Sequence, residues 1–534
     1  MKLKKKICTA IIVMLSVCLC ACQKGTKEEK RLATQAALRV TQFDWGYVSR
    51  PLFVITGDGK NPITVTVYAK AMVKAAMDRK NFIEYDIHLM AVGDDLMHEG
   101  VINSGLQADN TYNYESLFAG IQPYLDFADI KVINQETIMA GNEKGFSGYP
   151  TFNSPTEMAD SIANVGFNVV THATNHTDDK GIDGINYCKN YWDENHPDIM
   201  VVGMYGEEGK NDDIPIMEID GVTFAMLNYT YGCNWASLQP NLEDHVELLT
   251  TYNPSDRMID FNALNPDVLD DIERAEQMAD FVVVFPHWGI EYQTVENAYQ
   301  DSVAAQMIDA GADIIIGTHP HVCQPVKWIT TDNGNTGLCY FSLGNFLSSQ
   351  YDAPTFIEGM AWVTIHVTST GAEIVPDETG VLPMVLHYVS PGNKIIQTYA
   401  IEDYTEELAL NHACVARSGV TLHLSYLQDK SQEIFGDMIL SVDTIMNGAN
   451  NTFSAVGATQ IYNPSNSSGN AVSVNPTEQV TDVDDNVNQD DGNDGKITES
   501  DDADAAVSQP VDTSSRPRYN EDGVEILYLD EYYY

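Results

Sequence analysis

Five short apolar runs in this chain each break into residues that bind metal ions or move protons. Ile314 to Ile316 ends at Gly317 and is followed by Thr318-His319-Pro320-His321. Ile87 to Val92 runs into Gly93-Asp94-Asp95-Leu96-Met97-His98, and Ile130 to Ile133 into Asn134-Gln135-Glu136. Phe167 to Val170 leads to Thr171-His172-Ala173-Thr174-Asn175-His176-Thr177-Asp178-Asp179, and Phe281 to Phe285 leads to Pro286-His287-Trp288-Gly289-Ile290-Glu291-Tyr292. In extended chain the side chains at i and i+2 share a direction. Proline fixes its own backbone and biases the residue before it toward extended geometry. His319 and His321 are therefore expected to aim together at one ion.

Imidazole suits zinc, iron and manganese, while carboxylate and amide oxygens suit harder ions such as manganese. A mixed set with a bridging carboxylate holds two ions about 4 Å apart, where they clamp the attacking and leaving oxygens of a hydrolysis and activate water near neutral pH. A histidine beside an asparagine ligand, as His176 is beside Asn175, can protonate a leaving oxygen. Each residue alone has an ordinary structural explanation. An Asp after Gly is a common turn residue, and a single His at a strand end is usually satisfied within the protein. The repetition of one layout in five loops is what singles out Asp94, Glu136, Asn175, His176, His287, His319 and His321. His98 and His172 are candidates to support ligands from behind. His88, His196, His245, His366, His387, His412 and His423 read mostly as structural.

The elements that must position these residues form a periodic α/β body from about residue 86 to 390. Besides the five runs above, Val222 to Leu227 and Leu338 to Phe341 read as strands. Trp362 to Val367 and Val381 to Tyr388 look like antiparallel ones. Ligands in such sheets sit beyond the carboxyl ends of the strands, so the five loops converge. Ser154-Pro155-Thr156-Glu157 has capping-box spacing with proline at the first helical position. Met158, Ile162 and Val165 then make one apolar face that Gly166 ends. A second helix is expected from about Asp301 to Ala310, stopping at Gly311. The whole reads as a layered α/β sandwich.

The flanks are of a different kind. Lys2, Lys4, Lys5 and Lys6 precede an apolar stretch from Ile7 to Leu19, too short for a span of about 20 residues, which ends in Leu19-Cys20-Ala21-Cys22. This is an export signal, and the tetrapeptide resembles a lipobox, which implies lipidation of Cys22. Residues 23–85 read as a tether and a small N-terminal region, with a candidate hairpin around Gly57-Asp58-Gly59 and a short helix. Residues 396–453 read as helical, and 454–534 as a disordered acidic tail rich in Ser, Asn, Gly, Thr and Asp. Five cysteines outside the export segment (Cys188, Cys233, Cys323, Cys339 and Cys414) have no C-x-x-C spacing, which argues against a disulfide framework or a thiolate zinc site. With 77 acidic against 29 basic residues in 534, a net charge of -48, a nucleic-acid backbone is excluded as partner. The 44% hydrophobic content provides for a sizeable core.

The motif series resembles that of the CapA family of capsule, or poly-γ-glutamate, synthesis proteins. It comprises Gly93-Asp94, Asn134-x-Glu136, Ala173-x-Asn175-His176-x-x-Asp179-x-Gly181, His287-Trp288-Gly289-x-Glu291-Tyr292, Gly317-x-His319-Pro320-His321-x-x-Gln324 and Ser342-Leu343-Gly344-Asn345-Phe346. The resemblance implies a four-layer αββα sandwich of the metallophosphatase type over residues 86–395. It implies a dinuclear site of Mn, Fe or Zn with Asp94, Glu136, Asn175, His287, His319 and His321 as ligands and His176 as acid. Asp95, Asp179, Glu291, Tyr292 and Asn345 are then expected behind the ligands or against substrate. Three departures stand out. Leu96 occupies the second position after Asp94, where the wider superfamily has His; Thr174 stands where the family usually has a second Asn; and Asp95 replaces a usual apolar residue and could compete with Asp94. The implied function is that of a surface protein in capsule or poly-γ-glutamate synthesis. It would be lipid-anchored through Cys22 to the outer face of the cytoplasmic membrane, or to the periplasmic side of an envelope membrane. It would hydrolyse a phosphoester or a γ-glutamyl polymer, alongside other capsule-synthesis proteins. The alternative is a non-catalytic factor that tethers or assembles the polymer through its metal.

Overall fold

The computed structural model of the protein describes residues 84–350, 353–388, 396–418 and 421–451. It also describes two short antiparallel pairs, Val54–Ile55 with Val65–Thr66 and Arg518–Tyr519 with Glu525–Ile526. The export signal with Cys22, the helix expected before residue 80 and nearly all of the acidic tail lie outside the described residues.

Two sheets make the body. The strands of the nine-stranded sheet include β1 (Tyr85–Asp95), β2 (Ile130–Gln135), β3 (Val169–Thr171) and β4 (Met200–Val202). The six-stranded sheet holds β5 (Ile216–Ile219), β6 (Val222–Thr230), β7 (Phe281–His287), β8 (Ile314–Ile316), β9 (Val326–Thr330) and β10 (Thr336–Tyr340), in the order β9-β10-β8-β7-β6-β5. The chain then returns to the first sheet through β11 (Asn345–Leu347), β12 (Ile357–Thr368), β13 (Gly371–Ile374), β14 (Gly380–Tyr388) and β15 (Ile396–Ala400). Its order is β15-β14-β12-β1-β2-β3-β4, with β11 against β1 and β13 against β12. β1, β2, β3 and β4 are mutually parallel, as are β6, β7, β8 and β10.

Strand alternation shows how the layers meet. Along β7, Phe281, Val283 and Phe285 join the core that also holds β1 and β2, while Val282 and Val284 join a separate cluster. That second cluster is closed by Val268, Ile272 and Ala275 of one helix and by Val303, Ala304, Met307 and Ile308 of another. Successive strand residues point to opposite faces, so the six-stranded sheet lies between its sister sheet and a helical layer. On the nine-stranded sheet, α1 (Glu157–Val165) and α2 (Gly181–Asn195) pack Met158, Ile162, Ile185, Cys188 and Trp192 into the core of β2 and β3. The helices over the other sheet are α3 (Pro266–Met278) and α4 (Ala298–Ala310). The result is the expected four-layer αββα sandwich. Parallel strands buried on both faces read as continuous apolar runs, which is why they stood out in the sequence.

Local details differ from expectation for stated reasons. α1 has Thr156 and not Ser154 at its N-cap: the Ser154 hydroxyl is paired with Thr137 Oγ1 at 2.7 Å, and the Thr156 hydroxyl donates to Asn142 Oδ1 at 3.3 Å instead of capping. The true capping box belongs to α4, where Asn297 and Gln300 bond each other's backbone, so this helix starts at Ala298 and not Asp301. Gly166 and Gly311 end their helices in the left-handed region, with φ of 109° and 119°. Residues 396–400 are not helical: they form β15, which pairs antiparallel with β14. Its apolar alternation (Ile396, Thr398, Ala400 inward) is the period-two signal. Beyond it, Ile401, Tyr404, Leu427 and Phe435 complete the same core, the last two from α5 (Leu424–Phe435).

A pH-sensitive group on β14 lies against this extension. His387 is 2% exposed, and Tyr404 donates its hydroxyl to His387 Nδ1 at 2.6 Å. Burial, and then His412, lower its pKa to about 4 from the ordinary 6.5. A native pKa below the unfolded one means that stability is fully present above 6.5 and is lost as pH falls toward 4. The whole shift is worth about 3 kcal/mol. Urea unfolding of wild type and His387→Gln should therefore differ in pH dependence over that window, with the wild type losing more. Parallel profiles would refute this.

Candidate metal centre

Every candidate ligand sits where a parallel strand ends. Asp94 is the next-to-last residue of β1, Glu136 follows β2, and Asn175 and His176 follow β3. His287 closes β7, and His319 and His321 follow β8. Three of the contributing strands belong to one sheet and two to the other, so the ligands meet at the shared edge of both sheets. Two glycines allow this approach. A Cβ on Gly93 would lie 1.9 Å from the Gly344 carbonyl, which accepts from Asp94 N–H at 3.0 Å. A Cβ on Gly317 would lie 2.2 Å from the Phe341 carbonyl and 2.5 Å from Trp288 Nε1. Gly317→Ala should cost about 3 kcal/mol or more, read as a lowered urea midpoint; an unchanged midpoint would contradict this packing.

Ligand atoms of Glu136, His287 and His319 lie within 4.8 Å of one another, and so do those of Asp94, Glu136 and His321. Glu136 belongs to both groups. A third group, Glu291 with His319 and His321, adjoins them. Asn175 Oδ1 is 2.8 Å from His287 Nε2, whose other ring nitrogen is 2.9 Å from Thr318 Oγ1. Asp94 accepts from Asn134 Nδ2 at 2.8 Å and from His319 N–H at 3.3 Å, and lies 3.1 Å from His321 Nδ1. Asn134 is itself fixed by Thr171 Oγ1 at 2.8 Å.

The chemistry of this set fits a cation. Both oxygens of Glu136 and Nδ1 of His319 are buried with no hydrogen-bond partner among the described residues. Buried acceptors are paired in folded proteins unless something else satisfies them. Burial, and then Asp94, push the Glu136 carboxyl well up, while burial and the neighbouring imidazoles hold His287 and His319 well down. Burial opposes charge on His321, but Glu136 and Asp94 overcome it and raise His321 to about 10. The carboxylates thus already draw positive charge into the centre. Imidazoles, carboxylates and an amide oxygen around a shared carboxylate are a donor set for two divalent ions, which would take the place of the proton on His321.

The structure changes several expectations. His319 and His321 are not extended. Their φ values are 100° and 58°, a strained region for non-glycine residues; each joins a different group with Glu136, and the two share the group that holds Glu291. Asp95 belongs to neither group. It follows Asp94 in a strand, so it points to the opposite face; its carboxyl is fully buried and pushed well up by burial alone. Asp179 accepts from Phe152 N–H at 2.6 Å and pairs with His176 Nδ1 at 2.8 Å. The Tyr292 ring is 6.0 Å from that of His321. Asn345 donates to Gln350 and to the Thr355 carbonyl, holding that loop. His172 lies in the core against Trp192 Nε1 at 3.3 Å, away from the ligands. Leu96 is core, and its N–H bonds Leu347. Asn234, whose Oδ1 accepts from Asn175 Nδ2 at 2.8 Å and whose Nδ2 lies 3.1 Å from His176 Nδ1, had no clear sign in the sequence. Nor had Tyr231, whose ring is 4.6 Å from that of His319. Both lie on the loop after β6, which carries no ligand.

An αββα sandwich with a His, carboxylate and Asn set at the strand ends of both sheets defines a metallophosphatase-like protein. Residues 88–350 match the family model of the bacterial capsule synthesis protein PGA_cap, and through this segment the chain belongs to that family. It is 29% identical over 291 residues to the capsule biosynthesis protein CapA of Bacillus anthracis, covering 53% of this chain and 64% of that one. It is 28% identical over 282 residues to the PGA biosynthesis protein CapA of Bacillus subtilis, covering 52% and 67%. The chain thus spans less than two thirds of the first relative. A novel phosphatase from Mycoplasma pneumoniae aligns with a TM-score of 0.32 at 15% identity, over 55% of this chain and 94% of that one.

Proposed function

We propose that the protein is a metal-dependent phosphoester hydrolase of the cell envelope that serves capsule or poly-γ-glutamate synthesis, held to the membrane by lipid on Cys22. The observation that carries the catalytic part is Glu136, a buried carboxylate with two unpartnered oxygens shared by two ligand groups. Asp94, Glu136 and His321 would hold one ion, and Glu136, Asn175, His287 and His319 the other. Bound there, two divalent ions supply charge stabilisation at the reacting phosphoryl group and an activated water. His176 holds the proton for the leaving oxygen. Asp179 binds Nδ1 and so leaves Nε2 as the atom that exchanges a proton with substrate. Phe152 packs edge-on beneath the imidazole at 4.7 Å and fixes its plane. No Lys or Arg among the described residues pairs with these groups, so a polyanion finds no protein cation there; this favours a compact phosphoester over a γ-glutamyl chain.

The test is elemental analysis of the purified protein beside His319→Ala/Asn175→Ala, together with turnover of p-nitrophenyl phosphate and of poly-γ-glutamate. About two Mn, Fe or Zn per chain, lost with phosphatase activity in the double variant, is the expected result. No ion, or equal ion content in both proteins, would reject it. Cleavage of the polymer alone would keep the metal chemistry and replace the substrate.

A further inference from the structure

Beside the proposed acid lies a wall of rings. Asn234 is exposed, yet its side chain reaches buried Asn175 and His176. The loop that carries it therefore forms the side of the mouth on which His176 stands. On this loop Tyr231 packs against His319 at 4.6 Å, and Phe261 packs against Tyr231 at 5.9 Å. Phe261 comes from the neighbouring strand Ile259–Leu264, where Gly232 lets it approach the loop. A continuous stack thus runs from a candidate ligand to solvent. At its outer end Phe261 is 43% exposed. Arg257 brings no free charge to this wall: its guanidinium is engaged by Glu243 and the Gln239 carbonyl.

We infer that the alcohol released by the reaction presents a flat apolar face, a sugar ring or an aryl ring, to Phe261. The group that His176 protonates is the leaving oxygen, so whatever that oxygen is attached to lies along this wall. An exposed aromatic ring favours the face of another ring. Phe261 is thereby a specificity residue, and the inference rests on the phosphoester reading.

The test measures binding to the intact protein loaded with Mn2+, by calorimetry, using ethylphosphonate, phenylphosphonate and a glucosyl phosphonate, none of which is hydrolysed. The expected result is that at least one ring compound binds roughly ten-fold tighter than ethylphosphonate, within the range of an aromatic pair. Phe261→Ala should erase that preference while metal content and melting temperature stay unchanged. The tighter ring tells whether the leaving group is a sugar or an aryl alcohol. Equal binding of all three, failure of all three to bind, or a preference that survives Phe261→Ala would overturn the inference. A ring preference without turnover of p-nitrophenyl phosphate would instead remove the hydrolase reading and leave the ring site standing.

Discussion

Glu136→Gln is expected to lower the ion content from about two per chain to one or none, and to reduce phosphoester turnover by roughly three orders of magnitude. The substitution keeps the shape of the side chain and removes its charge. Glu136 is the one residue common to both main ligand groups, so no other single change reaches both. The effect on stability separates this reading from a folding defect. Burial and Asp94 both disfavour the charged form of Glu136. Removing that charge should therefore leave the melting temperature in EDTA unchanged or raised, because an uncompensated buried carboxylate is costly. With Mn2+ present the wild type should gain stability and the variant should gain little, since a ligand stabilises by its affinity for the folded state. A variant that keeps both ions, or that melts lower in EDTA, would show that Glu136 is a structural residue.

His176→Ala should cost about 10² to 10³ in kcat on a phosphoester with an alkyl leaving group, the usual range for a general acid. On p-nitrophenyl phosphate the loss should be smaller than about ten-fold, because a weakly basic leaving group needs little help from a proton donor. Ion content and KM should hold, since no metal group includes His176. Asp179→Asn should follow the same leaving-group pattern at lower amplitude, because Asp179 acts only through the 2.8 Å bond to His176 Nδ1. Equal losses on the two substrates would assign His176 to substrate binding or to metal support.

What could be read from residues alone, and what could not, follows from the range of each interaction. The parallel strands were legible because both faces are buried, as at Val282 and Val283, which leaves uninterrupted apolar runs. The positions of Asp94, Glu136 and His287 followed from the rule that chemistry gathers at strand ends. The local geometry of His319-Pro320-His321 was not legible. Proline predicts an extended neighbour, but the contacts to Asp94 and Glu136, made by residues far away in sequence, impose positive φ on both histidines. The same holds for Ser154: its spacing fits a cap, and its hydroxyl goes to Thr137 instead. Asp95 looked like a second ligand because sequence order does not show which face of β1 turns toward the other sheet. Asn234 and Tyr231 lie on a loop without the cluster of His and carboxylate residues that marks the other five strand ends, and only the three-dimensional approach of β6 to β7 places them beside His176 and His319.

The centre draws its ligands from both sheets, and Asp94 stands 225 positions before His319, whose backbone N–H it holds. Neither half of the chain can gather the whole set by itself. Asp94, Glu136 and Asn175 are in place once the first parallel strands have paired, but the three histidines arrive only with the six-stranded sheet, and Gly344 must close against β1 behind them. On the proposed metal reading, ion uptake would then be a clock for the last step of folding. A chain halted before the sheets dock would present three oxygen ligands and hold a divalent ion weakly, and the full set would capture it more tightly. In refolding experiments started without metal, the rate of Mn2+ capture should match the slowest recovery of native fluorescence and not the early gain of strand signal.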